Sequence, residues 1–354
     1  MDKGRKVTIN DVAKAAGVSK GTVDRVLHDR GEVSRKSREK VLRVIEELGF
    51  KPNLYASLLA SQKERVIFCL IPDCSSGEFW SLALKGIREA SENVSRYGIV
   101  VKCVRFDQYS VESFRTACDS VLASNASGVL LAPMFRDETL RFVSSLSASG
   151  IPFMFLDSKV DETDYLAYFG MPMYESGYLC ADILTGGRHE PRKVYVVRIS
   201  RDKKGLSDPT AERRAGFLAY MDRHYPDVEI ENVFIDPTDP SSIYAKLDAT
   251  IGAEHGRCHI VMFNSRIHLV SDYLAERGLH DDCRVVGFDA LERNVEAVRG
   301  GLVHALIAQH TDRQALDAVN ALADHILLGV PVPKRDNYTQ MDILNRYNCD
   351  FYNL

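Results

Sequence analysis

The chain has 354 residues, 45% of them apolar and 27% charged, with a formal net charge of −4, the profile of a water-soluble globular protein of two or three domains. No run of about 18 apolar residues occurs, and the basic start MDKGRKVTINDVAKAAG lacks the apolar stretch of an export signal. Neither a membrane partner nor secretion is therefore expected, and the eight scattered cysteines, with no CxxC among them, are expected as free, mostly buried thiols of a reducing cytoplasm. Charge is uneven: residues 1–65 carry 15 Lys and Arg against 9 Asp and Glu, the remainder 30 against 40, which makes nucleic acid a candidate partner for the head alone.

Within the head, Ile9, Val12, Ala13 and Ala16 fall on one helical face. Thr8 is the expected N-cap, with Asp11 three residues on as a weaker relative of the capping box, and Gly17 is the expected stop. Ser19 caps a second helix, KGTVDRVLH, after a gap of about three residues, the spacing of a helix-turn-helix. Val23, Val26 and Leu27 face inward there, leaving Lys20, Gly21, Thr22, Asp24, Arg25 and His28 outside. A third helix from about Ser34, SRKSREKVLRVIEELG, places Val41, Val44, Ile45 and Leu48 on one stripe and stops at Gly49. Periodicity leaves two readings open. One is a three-helix bundle with a solvated charged face; the other is a bundle whose residues 20–25 enter a DNA major groove.

The string TINDVAKAAGVSKGTVDRVL, then VSRKSREKVLRVIEELGFKPN, then ASLLA, resembles the headpiece of the lactose-repressor (LacI/GalR) family of bacterial transcription regulators. The resemblance implies a role for each matching position. Lys20 and Gly21 hold the two positions that choose base sequence. Arg25 holds that of the base-contacting arginine, suited to a bidentate pair with guanine. Thr22, Lys36 and Ser37 match phosphate-contacting positions, and Thr8 and Ser19 match helix caps near phosphates. Two departures stand out. Gly21 offers no side chain to a base, leaving more of the reading to Lys20. Asp24 stands where the family usually has Ser, and phosphate repels it unless it accepts from a cytosine amino group or pairs with Arg25.

Residues 53–60, NLYASLLA, suit a helix but fall short of the ~12–15 residues at which an isolated helix holds in water. The expectation is a segment disordered alone and helical on DNA, against a plain linker. The resemblance implies a hinge helix that pairs with its dimer mate in the minor groove. Leu59 is then the wedge in the central base step, Ala56 the small residue that permits close approach, and Asn53 the start of the helix.

From Val66, short apolar runs alternate with amphipathic stretches. Strands are expected at 66–71, 99–104, 128–132, 152–156, 193–199, 259–263, 284–288 and 304–308, with helices such as LALKGIREASENVSRYG and AERRAGFLAYMDRHY between them. Alternating β and α units predict parallel sheets covered on both faces. The length favours two Rossmann-like lobes with a ligand cleft at the carboxyl ends of the strands. The expected fold class is thus an all-α headpiece followed by α/β. The resemblance continues into the type I periplasmic sugar-binding fold, whose chain crosses between lobes three times. It implies a headpiece at 1–52, a hinge and linker at 53–65 and an effector-binding and dimerisation domain at 66–354. Lobe one spans about 66–168 plus 310–338, and lobe two about 169–309 plus the final strand.

Several positions match the sugar contacts of that fold. GEFWSLALKGIREA places Phe79 and Trp80 at the cleft, where an aromatic face stacks on a sugar ring. Asp157 in FLDSK accepts hydroxyl protons, Arg213 in ERRAGF forks onto vicinal hydroxyls, and Asp289 in VVGFD and Gln309 in LIAQ complete a polyol site. Taken one by one, the aromatics also suit a core, Arg213 a surface charge and the aspartates helix caps. NSRIH (264–268) departs from the family's consecutive Asn-Asp, with Ser265 at the Asn position and Arg266 at the Asp. One sugar-binding hydrogen bond is thereby in question, and Arg266 either favours an anionic ligand or points away.

HGRCH (255–259) has metal-like residue types but no second His/Cys cluster; a solvated helix end is expected there. No P-loop, no GxGxxG after a strand and no GxSxG occurs. No catalytic residue, metal or cofactor is therefore expected, and the tail MDILNRYNCDFYNL has no heptad for a tetramer-forming coiled coil. Together these readings describe a cytoplasmic, homodimeric, sequence-specific transcription regulator, a repressor before an activator. It is expected to bind a pseudo-palindromic double-stranded DNA operator under allosteric control by a sugar-like small-molecule effector, and not to be an enzyme. The alternative is a sugar-binding carrier that does not bind DNA.

Overall fold

The structure is a computed structural model that describes residues 7–27, 31, 33–50, 64–186, 191–199, 210–237, 239–253 and 258–352. The expectations for His28, Asn53, Ala56 and Leu59 lie outside these residues. The chain divides into two compact units, Met1–Lys63 and Glu64–Leu354.

The first unit holds α1 (Ile9–Ala16), α2 (Lys20–Leu27) and α3 (Arg35–Glu47). The Thr8 hydroxyl accepts the Asp11 N–H at 3.4 Å while the Asp11 carboxylate accepts the Thr8 N–H at 2.9 Å, a complete reciprocal box that satisfies donors left over at the start of α1. Gly17, left-handed at φ 60°, ends that helix. Ser19 accepts the Thr22 N–H at 3.1 Å and Ser34 the Ser37 N–H at 3.2 Å. Val12, Ala16, Val23 and Val41 are fully buried, closed over by Val26, Val44 and Phe50. Leu48, expected on the buried stripe, is instead exposed. The cause is the end of α3 at Glu47: left-handed Gly49 (φ 59°) reverses the chain, the Phe50 N–H bonds the Ile45 carbonyl at 2.9 Å, and the Phe50 ring fills the place.

The second unit is two α/β lobes. The first runs β1 (Arg65–Pro72), α4 (Phe79–Ser95), β2 (Ile99–Phe106), α5 (Val111–Leu122), β3 (Ala126–Leu131), α6 (Arg136–Ala148), β4 (Phe153–Leu156) and β5 (Ala167–Gly170). The chain then enters the second lobe with α7 (Met173–Thr185), β6 (Lys193–Ile199), α8 (Ala211–His224), β7 (Glu229–Ile235), α9 (Pro240–Asp248), β8 (Cys258–Met262), α10 (His268–Arg277), β9 (Cys283–Phe288), α11 (Glu292–Arg299) and β10 (Ala305–Gln309). It returns to the first with α12 (Thr311–Leu328) and β11 (Asp336–Tyr338), and ends in the second with β12 (Met341–Leu344). The strand orders are β11-β5-β4-β3-β1-β2 and β12-β10-β9-β8-β6-β7, the same arrangement twice.

Among the described residues every strand pairing is parallel except β12 against β10. The carboxyl ends of both sheets face the same cleft, so a chain that leaves the first sheet by its carboxyl end enters the second from the wrong end for a parallel strand. Three expectations are corrected. Phe169 and Gly170 pair within the first sheet as the end of β5, opposite Leu156 and Tyr338, so lobe one extends to 170 rather than 168. Arg65, assigned to the linker, begins β1. Cys258 and His259 lie buried in β8 rather than at a solvated helix end. The sequence reading also passed over β5, β7 and β11; the first and last are very short, and β7 is an edge strand whose partly solvated EIENVFI carries too many polar residues to form an apolar run.

Glycines set the closest helix contact. A Cβ at Gly216 in α8 would meet the Tyr174 carbonyl oxygen at 1.9 Å, and one at Gly177 in α7 the Arg213 carbonyl oxygen at 1.6 Å, so α7 and α8 touch backbone to backbone. The equivalent pair in the first lobe, α4 and α12, does the same at Gly86 against Asp312. Gly216→Ala is expected to force α7 from α8 and cost about 1–3 kcal/mol, read as a lower urea midpoint for the intact chain. An unchanged midpoint would show slack at this crossing.

Candidate functional site

The two sheets face each other across a cleft of about 740 Å³, within the size range of small-molecule sites. Its walls are the loops that follow the carboxyl ends of the strands. Phe79, Trp80, Asp157, Arg213, Ser265, Asp289 and Gln309 all line it.

Asp157 follows β4 and Asp289 follows β9, the same strand in each lobe. Both have left-handed backbones, φ 69° and 68°, the two such non-glycine residues among those described. Asp tolerates this conformation better than most side chains, and each is pinned. The Asp157 N–H bonds the Phe169 carbonyl at 2.9 Å and that of Asp289 the Ile307 carbonyl at 3.0 Å. The Asp157 carbonyl accepts the buried Tyr168 hydroxyl at 2.8 Å; that of Asp289 accepts the Asn294 side-chain amide at 3.0 Å. The turns so formed aim both carboxylates into the cleft from opposite lobes.

Arg213, near the start of α8, is 4% exposed. Its Nε donates to the Ser176 hydroxyl at 3.2 Å and one terminal nitrogen to the Phe263 carbonyl. Among the described residues the other terminal nitrogen meets only the sulfurs of Met171 and Met173, at 3.0 and 3.3 Å, which are weak acceptors. The guanidinium lies 3.9 Å over the Phe288 ring. Burial pulls the Arg213 pKa down, and the charges of Asp289 and Asp157 resist that pull. Burial likewise pushes the Asp289 carboxyl up against the opposing pull of Arg213 and Gln309. It pushes Asp157 up to about 7, with Arg213 and Gln309 opposing and Asp289 adding to the rise.

The Gln309 amide donates to Asp289 at 3.0 Å, and Gln314 donates to the Gln309 carbonyl at 3.3 Å and to the Thr339 hydroxyl at 2.7 Å. This polar chain runs beside two of the three segments by which the chain passes between lobes. Trp80 is both core and wall: it is 6% exposed and packed in the first lobe, yet it borders the cleft. Half-buried Phe79 meets it edge to face with centroids 5.1 Å apart. At Ser265 the backbone carbonyl is held by the Asn294 amide at 2.9 Å. Arg266 neither points away nor stands as a free cation; it reaches across the cleft to Glu78 of the first lobe at 3.6 Å.

Asn294, Gln314 and Tyr168 position the site and were not picked from sequence. Asn294 and Gln314 are fully buried, yet an amide in a helix carries no local mark that separates it from a solvated one. In the first unit Lys20, Gly21, Arg25 and Lys36 are exposed, and Thr22 and Ser37 are partly covered. Both Lys20 and Arg25 stand outside the buried stripe of α2, five residues and about 1.4 turns apart. Thr8 and Ser19 serve as caps, as described.

Residues 8–53 match the model of "Bacterial regulatory proteins, lacI family" and residues 67–329 that of the "Periplasmic binding protein domain". The chain is 34% identical over 245 residues to the HTH-type transcriptional regulator RegA of Clostridium saccharobutylicum, covering 69% of this chain and 70% of that protein. It is 26% identical to the ribose operon repressor of Lactococcus lactis subsp. lactis, covering 80% of this chain and 81% of the repressor. Among solved structures, a protein from Bacteroides fragilis assigned to the LacI transcriptional regulators superposes with a TM-score of 0.77 at 30% identity, covering 82% of this chain and 100% of that one.

The buried carboxyls have a consequence for stability. A carboxyl whose folded pKa lies above its unfolded value of about 3.9 keeps its proton longer in the folded chain. Its contribution is whole below the unfolded value and is lost as pH climbs toward the folded one, which for Asp157 is about 7. Asp157→Asn stays neutral throughout, so it is expected to raise the ligand-free thermal midpoint relative to the parent more at about pH 8 than at about pH 5. Equal offsets at both pH values would show Asp157 ionised in the folded chain across that range.

Proposed function

The chain belongs to the lacI family of bacterial regulatory proteins, DNA-binding regulators of transcription that respond to sugars, and on that premise we propose a cytoplasmic, homodimeric repressor whose effector is a neutral sugar or sugar derivative. The observation that carries the effector reading is the buried Arg213 guanidinium flanked by Asp157 and Asp289 from opposite lobes. Ring hydroxyls donate to carboxylates and accept from a guanidinium, so one polyol satisfies both at once. Phe79 and the edge of Trp80 supply an apolar wall for the ring. Neutrality is favoured because Glu78 meets the charge of Arg266, leaving it no anion to seek. Ser265 takes part through the loop that Asn294 holds rather than through a recognised side-chain bond.

On the DNA side, Lys20 and Arg25 read base edges, Thr22, Lys36 and Ser37 grip phosphates, and Thr8 and Ser19 cap helices beside the backbone. The hinge roles of Asn53, Ala56 and Leu59 belong to the same reading. Two headpieces related by a two-fold axis require two equivalent half-sites, hence a pseudo-palindromic operator. If effector closing the cleft weakens operator binding by some factor, operator must weaken effector binding by that same factor. The relatives compared above are regulators, and no catalytic role is proposed.

Gel shifts of the intact protein with genomic fragments test the reading. Failure to retain any fragment at low salt would favour the carrier alternative, and the genes beside retained fragments would point to the effector. Arg25→Ala is expected to relax base preference at one half-site position and cost about 1–3 kcal/mol there; equal loss on every DNA sequence would overturn base reading by Arg25. Arg213→Ala is expected to abolish release by a monosaccharide panel while operator affinity stays. A preserved response would remove Arg213 from the site.

A further inference from the structure

The function above leaves the cysteines unused, and two pairs of them are register partners across neighbouring parallel strands: Cys69 with Cys103 on β1 and β2, and Cys258 with Cys283 on β8 and β9. Register partners point to the same face of a sheet, and strands lie about 4.8 Å apart, within the ~4.4–6.8 Å between Cα atoms that a disulfide spans. The pairs differ in access. Cys258 and Cys283 are both buried, their sulfurs 2.6 Å apart, so an oxidant from solvent reaches neither. Cys69 is fully buried, but Cys103 on the edge strand is exposed.

The surroundings of Cys103 favour its thiolate. The neighbouring Cys69 thiol draws the Cys103 pKa down, and Arg105 and Arg88 pull the same way against partial burial. Cys103 in turn, together with burial, pushes Cys69 up. Arg105 is two residues beyond Cys103 on the same face of β2, and Arg88 comes from α4. An accessible sulfur with thiolate character beside a buried second thiol is the arrangement of an oxidisable pair.

We propose that Cys69 and Cys103 form a dithiol oxidised by hydroperoxides, with Cys103 the attacking sulfur and Cys69 the resolving one. The Cys103 sulfur attacks the terminal peroxide oxygen. The O–O bond breaks, the leaving oxygen takes the Cys103 proton as an alcohol (water, for hydrogen peroxide), and Cys103 becomes a sulfenic acid. The Cys69 sulfur attacks that sulfur, the S–O bond breaks, and hydroxide departs with the Cys69 proton as water. Two thiols and one hydroperoxide become one disulfide, one alcohol and one water; the sulfurs are oxidised and the peroxide oxygens reduced. The bond would join β2 to the strand that leads through Asp73, itself paired with Arg105 at 3.0 Å, into the aromatic wall of the cleft.

The test treats the full-length reduced protein with one equivalent of hydrogen peroxide, blocks remaining thiols with N-ethylmaleimide and maps peptides without reduction. The expected product is an intrachain link lighter by two hydrogens, located by tandem spectra at Cys69 and Cys103 and reversed by dithiothreitol, with Cys258 and Cys283 still alkylated as thiols. Cys69→Ser is expected to stop at a dimedone-reactive sulfenic acid on Cys103, and Cys103→Ser to leave Cys69 reduced. The proposal is overturned by Cys103 remaining a thiol while other cysteines oxidise, by a link to Cys74 instead of Cys69, or by a Cys103–Cys103 link between chains. The wild-type peptide map reads all of these without relying on either variant to fold.

Discussion

A guanidinium withdrawn from water needs opposite charge and oxygen acceptors close by, and Arg213 imposes that need on both lobes. Neither lobe meets it alone. Asp289 and the Phe263 carbonyl come from the second, Asp157 from the first, and part of the demand falls on two thioether sulfurs that accept poorly. A ligand that brings hydroxyl oxygens to this position replaces weak acceptors with strong ones. The left-handed turns at Asp157 and Asp289 follow from the same demand. Each costs of order 1 kcal/mol or more, and the buried donors Tyr168 and Asn294 hold the carbonyls that keep them in place. The carboxylates that face the cleft are therefore supported by residues that do not line it.

The repeated strand order explains how two lobes come to share one site. Equivalent strands deliver equivalent aspartates, and equivalent helices meet at Gly86 and at Gly216. Only short stretches of chain join the halves, at residues 171–172, 310 and 339–340. Gln309, Gln314 and Thr339 form a polar contact beside the crossings. In the proposed function, ligand contacts on both lobes would act on the angle between them, the kind of two-state element that allosteric linkage requires.

Charge matching refines the character of the cleft. Arg266 meets Glu78, Arg293 meets Asp272 at 2.6 Å, and Arg213 stands among carboxylates. These three cations of the wall are answered by the protein's own anions. Glu78 belongs to one lobe and Arg266 to the other, so this pair also spans the opening. Arg266 therefore links the lobes through Glu78.

Much was legible in the sequence wherever the cause is local. A cap and its partner lie three residues apart, a helical face repeats within a turn, and a buried strand reads as an apolar run; Thr8 with Asp11, Gly17, the face of α2 and most central strands followed from those patterns. The cleft aspartates and Arg213 were legible only through family resemblance, because nothing local relates positions so far apart in the chain. Short or edge strands such as β5, β7 and β11 escaped for want of a sufficient apolar signal. Tertiary structure alone decided that Arg266 turns to Glu78, that Asn294 and Gln314 are buried supports, and that Cys69 faces Cys103. The reason is physical: sequence pattern records which side of an element is apolar, whereas the partner of a buried polar group is set by sheet order and register between distant segments.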